Sequence, residues 1–167
     1  MELNEVLAKR VSSRSFNELV IEDNVIEEIL LAGEKAPVAR GLYDELLFII
    51  IKGNKVKLLR NRLISLMGKD PFYKANCLIL LASKGNKDYL NYANAGAIIE
   101  NMHLKATEDN IGSLYIYGAT PFINDDNDIR KMLGLEPEYK SIGILALGHI
   151  DVELTGKKHS IARKIIL

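Results

Sequence analysis

The residues best equipped for chemistry lie near the amino terminus. Arg10-Val-Ser-Ser-Arg-Ser-Phe16 alternates guanidinium and hydroxyl groups and closes on an apolar anchor. Arginine gives planar, bidentate hydrogen bonds to phosphate, and serine adds neutral donors. Arg10, Ser12 and Arg14 would together hold a phosphate monoester, although a solvated basic loop is the simpler reading of so short a run. Lys157 and Lys158, within Gly156-Lys-Lys-His159, supply further cations near the other end. Lys plus Arg equals Asp plus Glu at 22 each, so no long-range field favours nucleic acid or an anionic membrane. An anion must be gripped by a local cluster.

Other chemistries find little support. Cys77 is the one cysteine, which excludes an internal disulfide and fits a reducing cytoplasm. It sits in the apolar run Cys77-Leu-Ile-Leu-Leu-Ala82, as expected of a buried, inert thiol. His103 falls within a helical pattern and reads as a packed or surface histidine rather than a catalyst. His149 and His159 stand alone, so no metal site is expected. No Ser-His-Asp set or P-loop occurs. Arg40 reads as a loop charge that could reach an acidic substrate, and Tyr115 and Tyr117 as core-strand aromatics that could line a cleft.

The elements that must position these groups follow from periodicity. Tyr89 to Asn110 reads as a long helix, apolar at Ala95, Ile98, Ile99, Met102 and Ala106. Gly96, costly inside a helix by ~1 kcal/mol against alanine, suggests close approach by another backbone, a helix or a planar ligand. Asn110 and Gly112 end the helix, and Ser113 to Tyr117 follows as a buried strand stopped by Gly118. Leu3 to Lys9 forms a short helix with Leu3, Val6 and Leu7 on one face. Asp23 or Asn24 caps a helix carrying Val25, Ile26, Ile29 and Leu30. Ala36 to Tyr43 is loop, with Gly41 free to take unusual dihedrals. Leu46 to Ile51 is a strand covered on both faces and too short to span a bilayer. Asn54 to Met67 is a helix with Val56, Leu59, Leu63 and Leu66 inward. Ala75 to Ser83 and Ser141 to His149 are further strands. Asn124 to Asp128 offers caps for a helix at Ile129 to Leu133. Glu2 and Glu5 stand where a secretion signal would carry basic charge. The expectation is one cytoplasmic domain over 1–167, whose apolar tail Ile161 to Leu167 packs on something else, such as a partner chain.

Taken in order, these segments resemble the FMN-dependent nitroreductase family over nearly the whole chain. Arg10-x-Ser-x-Arg14-x-Phe16 is similar to that family's N-terminal phosphate and ribityl motif, and Ala36-Pro-x-Ala39 to its second motif. Asp70-Pro-Phe-Tyr-Lys-Ala-Asn-Cys-Leu-Ile79 resembles the lead into the next core strand. Asn94-Ala-Gly-Ala-x-x-Glu-Asn101, then Ile111-Gly-Ser113 and Tyr117-Gly118, resembles the central helix and the strand behind the flavin. Leu133-Gly-Leu135 and Leu147-Gly148-His149 resemble the closing motifs. Their order and spacing carry the resemblance, since none is specific alone. Around the second motif the family usually has Ser, Asn, Gln, Pro and Trp, where this chain has Val38, Gly41, Tyr43, Asp44 and Glu45. The chain also lacks a long insertion between the strand at Cys77 and the helix at Tyr89, which implies an open cleft.

The resemblance implies an α+β fold, a central mixed or antiparallel sheet flanked by helices, in an intertwined homodimer whose tail is exchanged between subunits. It implies FMN as cofactor and NAD(P)H as donor, with a nitroaromatic, quinone or related small molecule reduced by ping-pong hydride transfer through flavin N5. Catalysis then needs no protein nucleophile or base. Arg10, Ser12 and Arg14 would hold the phosphate, ribityl chain or pyrimidine edge, and Arg14 would face the charge of the reduced ring. Tyr117 and Gly118 would meet the N5 and O4 edge, Lys157 or Lys158 would complete the phosphate site, and Pro37, Val38 and Ala39 would approach from the other subunit. Arg40 and Tyr115 are candidates for the substrate cleft. The altered loop from Val38 to Glu45 favours a rival: a dimeric module of this fold that binds flavin weakly or not at all. A flavoenzyme specialised for another substrate is a third possibility.

Overall fold

The computed structural model describes residues 1–84, 88–157, 159, 163, 165 and 166. Among the described residues six α-helices surround four strands: α1 (Leu3–Lys9), α2 (Asp23–Glu34), β1 (Leu46–Lys52), α3 (Asn54–Met67), β2 (Cys77–Ser83), α4 (Asp88–Glu108), β3 (Gly112–Ile116), α5 (Thr120–Asp125), α6 (Asn127–Leu133) and β4 (Lys140–Gly148). The strands form an antiparallel sheet in the order β1-β2-β4-β3. β2 and β4 take the centre because their runs are apolar on both faces, and β2 is buried at every position. Leu78, Leu80 and Ala82 point into one apolar cluster with Val56, Leu59 and Leu63 of α3, Ile123 of α5 and Ile129 of α6. Cys77, Ile79 and Leu81 point into the other, with Ile26 and Ile29 of α2 and Ile98, Ile99 and Met102 of α4. The result is an α+β sandwich, helices over each face of one sheet.

Most expected elements lie within a residue or two of their sequence positions, and the differences have physical causes. The residue before α2 is Glu22, with no side-chain cap bond, and Asp23 lies inside the helix where it pairs with Lys52. Leu3, Leu7 and Leu66 are exposed, so only Val6 of α1 reaches the core, and α3 packs through Val56, Leu59 and Leu63. β1 touches both clusters, through Leu47 and Ile49 on one side and Leu46 and Phe48 on the other. As an edge strand, however, it is half-buried, with Ile50 41 % exposed. The cap of α6 is Asp126, whose carboxylate accepts from the Ile129 amide at 2.9 Å, an arrangement that contributes ~1 kcal/mol. Asn124 belongs to α5, which periodicity did not reveal, and its amide bonds both backbone groups of Ser141 at 2.7 and 2.9 Å. The close helix contact also lies elsewhere than expected. A Cβ on Gly96 would meet nothing within 4 Å, whereas one on Gly33 would stand 2.8 Å from Met102, where α2 crosses α4.

Among the described residues no helix is long and apolar enough to cross a membrane.

Candidate site along the outer edge of β3

α1 ends at Lys9, and the chain then runs beside β3. Ser12 forms a parallel bridge to Ser113, with the Ser13 amide donating to the Ser113 carbonyl at 2.9 Å. Because the Ser113 carbonyl points outward, strand alternation turns the backbone of Tyr115 outward too. The basic segment leaves the strand after Ser13, so beyond that point the edge lies open. Arg14, Tyr115, Ile116, Tyr117 and Gly118 line a cleft of about 230 Å³ there, closed on its far side by Lys69 to Pro71 and Tyr73. A helical turn halts the strand, since the Tyr117 carbonyl accepts the Thr120 amide at 2.9 Å and its hydroxyl at 2.8 Å. The Tyr117 ring, 48 % exposed, meets Tyr92 of α4 edge-on at 5.3 Å. Asp70 shapes the opposite wall by accepting from the amides of Phe72 and Lys74.

Arg10 is not in that cleft. It stands at the other end of the same edge, where α4 passes. Its Nε lies 3.2 Å from a Glu100 carboxylate oxygen, and its Nη1 lies 3.5 Å from Nδ1 of His103. His103 is buried and its Nε2 lies 3.2 Å from the Val11 carbonyl. A carbonyl only accepts, so Nε2 carries the proton and Nδ1 is free to accept from the guanidinium. Burial, reinforced by the Arg10 charge, lowers the His103 pKa to about 4 against the opposing pull of backbone bonds to Val11 and Ser113. His103 is therefore neutral at pH 7, and its 3.8 Å approach to Glu100 is not an ion pair. Burial raises the Glu100 pKa, and Arg10 pulls it back. No bond engages Nη2 of Arg10 among the described residues.

The carboxyl-terminal segment returns to this end. A Cβ on Gly156 would lie 2.0 Å from the Ala8 carbonyl oxygen and 3.2 Å from that of Arg10, so the backbone is seated directly against the end of α1. Lys157, exposed, follows it, and Lys158 lies outside the described residues. The backbone leading into Lys157 thus lies against the backbone of Ala8 and Arg10.

Pro37, Val38, Ala39 and Arg40 lie elsewhere. Their loop precedes β1, at the opposite edge of the sheet. The Ala39 amide donates to the side chain of Asn94 at 2.9 Å, and the Tyr43 hydroxyl donates to the Ala36 carbonyl. Val38 is buried in the core under α2 and α4, and Arg40 and Gly41 take left-handed dihedrals with φ 64° and 68°. None of Pro37, Val38, Ala39 and Arg40 lines the cleft, although Asn94, which holds the Ala39 amide, lies two residues from Tyr92, whose ring meets Tyr117. His103, read from the sequence as a packed or surface histidine, is buried; Asn94 and Glu100 stood there only within the central-helix motif, and Tyr92 had no role. The i, i+3 spacing of Glu100 and His103 put them on one face of α4, but nothing local indicated that Arg10 lands on that face.

The geometry defines a class: an α+β protein with an arginine paired to α4 at one end of β3 and an open strand edge lined by aromatic side chains. The chain belongs to the nitroreductase family, whose model matches residues 60–149. No curated protein matches the sequence. Among solved structures, the chain is similar to a nitroreductase with bound FMN from Bacteroides fragilis, with TM-score 0.86 and 24 % identity over 100 % of this chain and 98 % of that one. A nitroreductase with bound FMN from Desulfitobacterium hafniense gives 0.80 and 20 %, over 100 % and 98 %. The NADPH:FMN oxidoreductase of Vibrio harveyi complexed with NAD⁺ gives 0.76 and 20 %, over 96 % of this chain but 74 % of that one.

Proposed function

We propose that the protein is an FMN-dependent oxidoreductase that takes electrons from NAD(P)H and passes them to a nitroaromatic, quinone or related small acceptor. The observation carrying this reading is the placement of Arg10, Ser12, Arg14, Tyr117 and Gly118 along one edge of β3. From Gly112 to Ile116 the strand rises ~13 Å before the turn at Tyr117 and Gly118, room for a long ligand with a charged tail and a flat head. Nη2 of Arg10 is available for a phosphate, with Ser12 and Lys157 nearby, and Arg14 stands over the cleft that would take the ring. FMN, when bound, supplies hydride acceptance and donation, and the chain's own residues bind and orient it. Arg14 would stabilise negative charge on a reduced ring. The outward backbone of Tyr115 and the Tyr117–Gly118 turn would hold the ring's polar edge, while Tyr117 and Tyr115 would bound the substrate side. Similar structures with bound FMN, and one complexed with NAD⁺, support the choice of cofactor and donor.

The site also gives a reason for a homodimer. Pro37, Val38, Ala39 and Arg40 do not line the cleft of their own chain, and a second copy would bring them to the flavin. Gly96, with open space over its face of α4, is where such a copy would seat.

The test is direct. Purified protein reconstituted with FMN should be yellow, bleach anaerobically with NADH or NADPH, and regain colour on adding a quinone or nitroaromatic. A protein that stays colourless and unchanged by added FMN would instead be a non-catalytic module of this fold.

A further inference from the structure

We propose that His103 is a positioning residue for phosphate recognition: tethered to the backbone beside Arg10, it receives one guanidinium N–H and, with Glu100, presents the remaining Nη2 edge to a phosphate monoester. This rests on the flavin reading above. A guanidinium has five N–H donors on a long, rotamer-rich stem. Here Nε lies 3.2 Å from a Glu100 carboxylate oxygen as an ion pair and Nη1 lies 3.5 Å from His103, and among the described residues nothing bonds Nη2, which leaves its hydrogens for a ligand. The imidazole cannot turn away, because its Nε2–H is committed to the Val11 carbonyl at 3.2 Å. Val11 follows Arg10 in the chain, so the ring ties the arginine's head to its own backbone. Thr107, one turn on, donates its hydroxyl to the His103 carbonyl at 2.9 Å and fixes the helix beneath. An arginine held this way loses less freedom on meeting an anion than one free in solvent, and the saving appears as affinity.

The experiment compares FMN with riboflavin, the same ring without phosphate, in fluorescence titrations of the full-length protein. His103→Leu should bind FMN roughly two- to tenfold more weakly, the range expected for one lost hydrogen bond, with riboflavin unchanged. His103→Gln, whose amide both accepts and donates, should restore most of the loss. In an Arg10→Ala background His103→Leu should cost nothing further, because the residue acts through the arginine. Should His103→Leu not fold, His103→Asn, too short to span from the Val11 carbonyl to the guanidinium, carries the same expectation. Wild-type FMN affinity in the variant, equal losses for FMN and riboflavin, or an undiminished effect without Arg10 would each overturn the proposal. A wild-type protein that does not prefer FMN over riboflavin sinks the phosphate reading itself. A preference abolished by Arg10→Ala but untouched by His103→Leu sinks the His103 inference alone.

Discussion

In the proposed reading, Arg10 is the residue on which recognition of a phosphate most depends. Arg10→Ala should weaken FMN binding by ~1.5–3 kcal/mol, the contribution of a hydrogen bond to a charged group, read as a raised dissociation constant. His103 adds a pH dependence. Its folded pKa of about 4 lies below the ordinary 6.5, so the unfolded chain binds its proton first. The stability it contributes is fully present above pH 6.5 and drains away as pH falls through 4, a span of ~3 kcal/mol. Arg10 and Glu100 face the same imidazole, and Glu100, its pKa raised by burial, takes up its proton in the acid range with the opposite sign, partly offsetting His103. Urea midpoints between pH 4 and 7 should rise more steeply for the wild type than for His103→Gln; parallel slopes would contradict the assignment. Cys77 is inert, its thiol pushed up to about 12 by burial, and should react with a thiol reagent only after unfolding. That inertness was legible from the apolar run around Cys77. The partnership of His103 and Arg10 was not, because it joins residues 93 positions apart.

At the scale of elements, periodicity located the long helix, the central strands and the glycine-ended turns, since burial on a sheet or helix face imposes its own repeat. α5 escaped notice because six residues give too few turns for a repeat, and Asn124 looked like a cap when its role is to pair with Ser141 of β4. The basic motif at Arg10 to Phe16 was visible, but that it runs parallel to β3 depends on a long-range bridge. Gly156 marks the seating of the carboxyl-terminal segment on α1, with backbone oxygen where a side chain would stand. Gly156→Ala should lift that segment and move Lys157 away, destabilising the fold by ~1–3 kcal/mol and lowering FMN affinity more than riboflavin affinity. A denaturant midpoint and flavin affinities equal to wild type would show that the segment does not help to build the site.

For the whole molecule, the question is how the two sheet edges cooperate. One carries the arginines and the aromatic cleft, and the other carries the loop of Pro37 to Arg40, pinned to α4 by Asn94. The sequence pointed to Gly96 as a place of close approach, and within one chain that space is empty. Replacing Gly96 should therefore do no harm inside the subunit, and removing a helical glycine even gains ~1 kcal/mol. Gly96→Leu should keep the fold yet convert a dimer to a monomer in sedimentation; an unshifted dimer would remove α4 from the interface. The chain spans 74 % of the Vibrio harveyi enzyme's structure but 98 % of the Bacteroides fragilis one.

The most direct measurement of all is a crystal structure of the protein soaked with FMN. The account predicts phosphate oxygens within hydrogen-bonding distance of the Arg10 guanidinium and the ring's polar edge against the backbone at Tyr117 and Gly118. Flavin bound away from β3, or a phosphate that ignores Arg10, would contradict it.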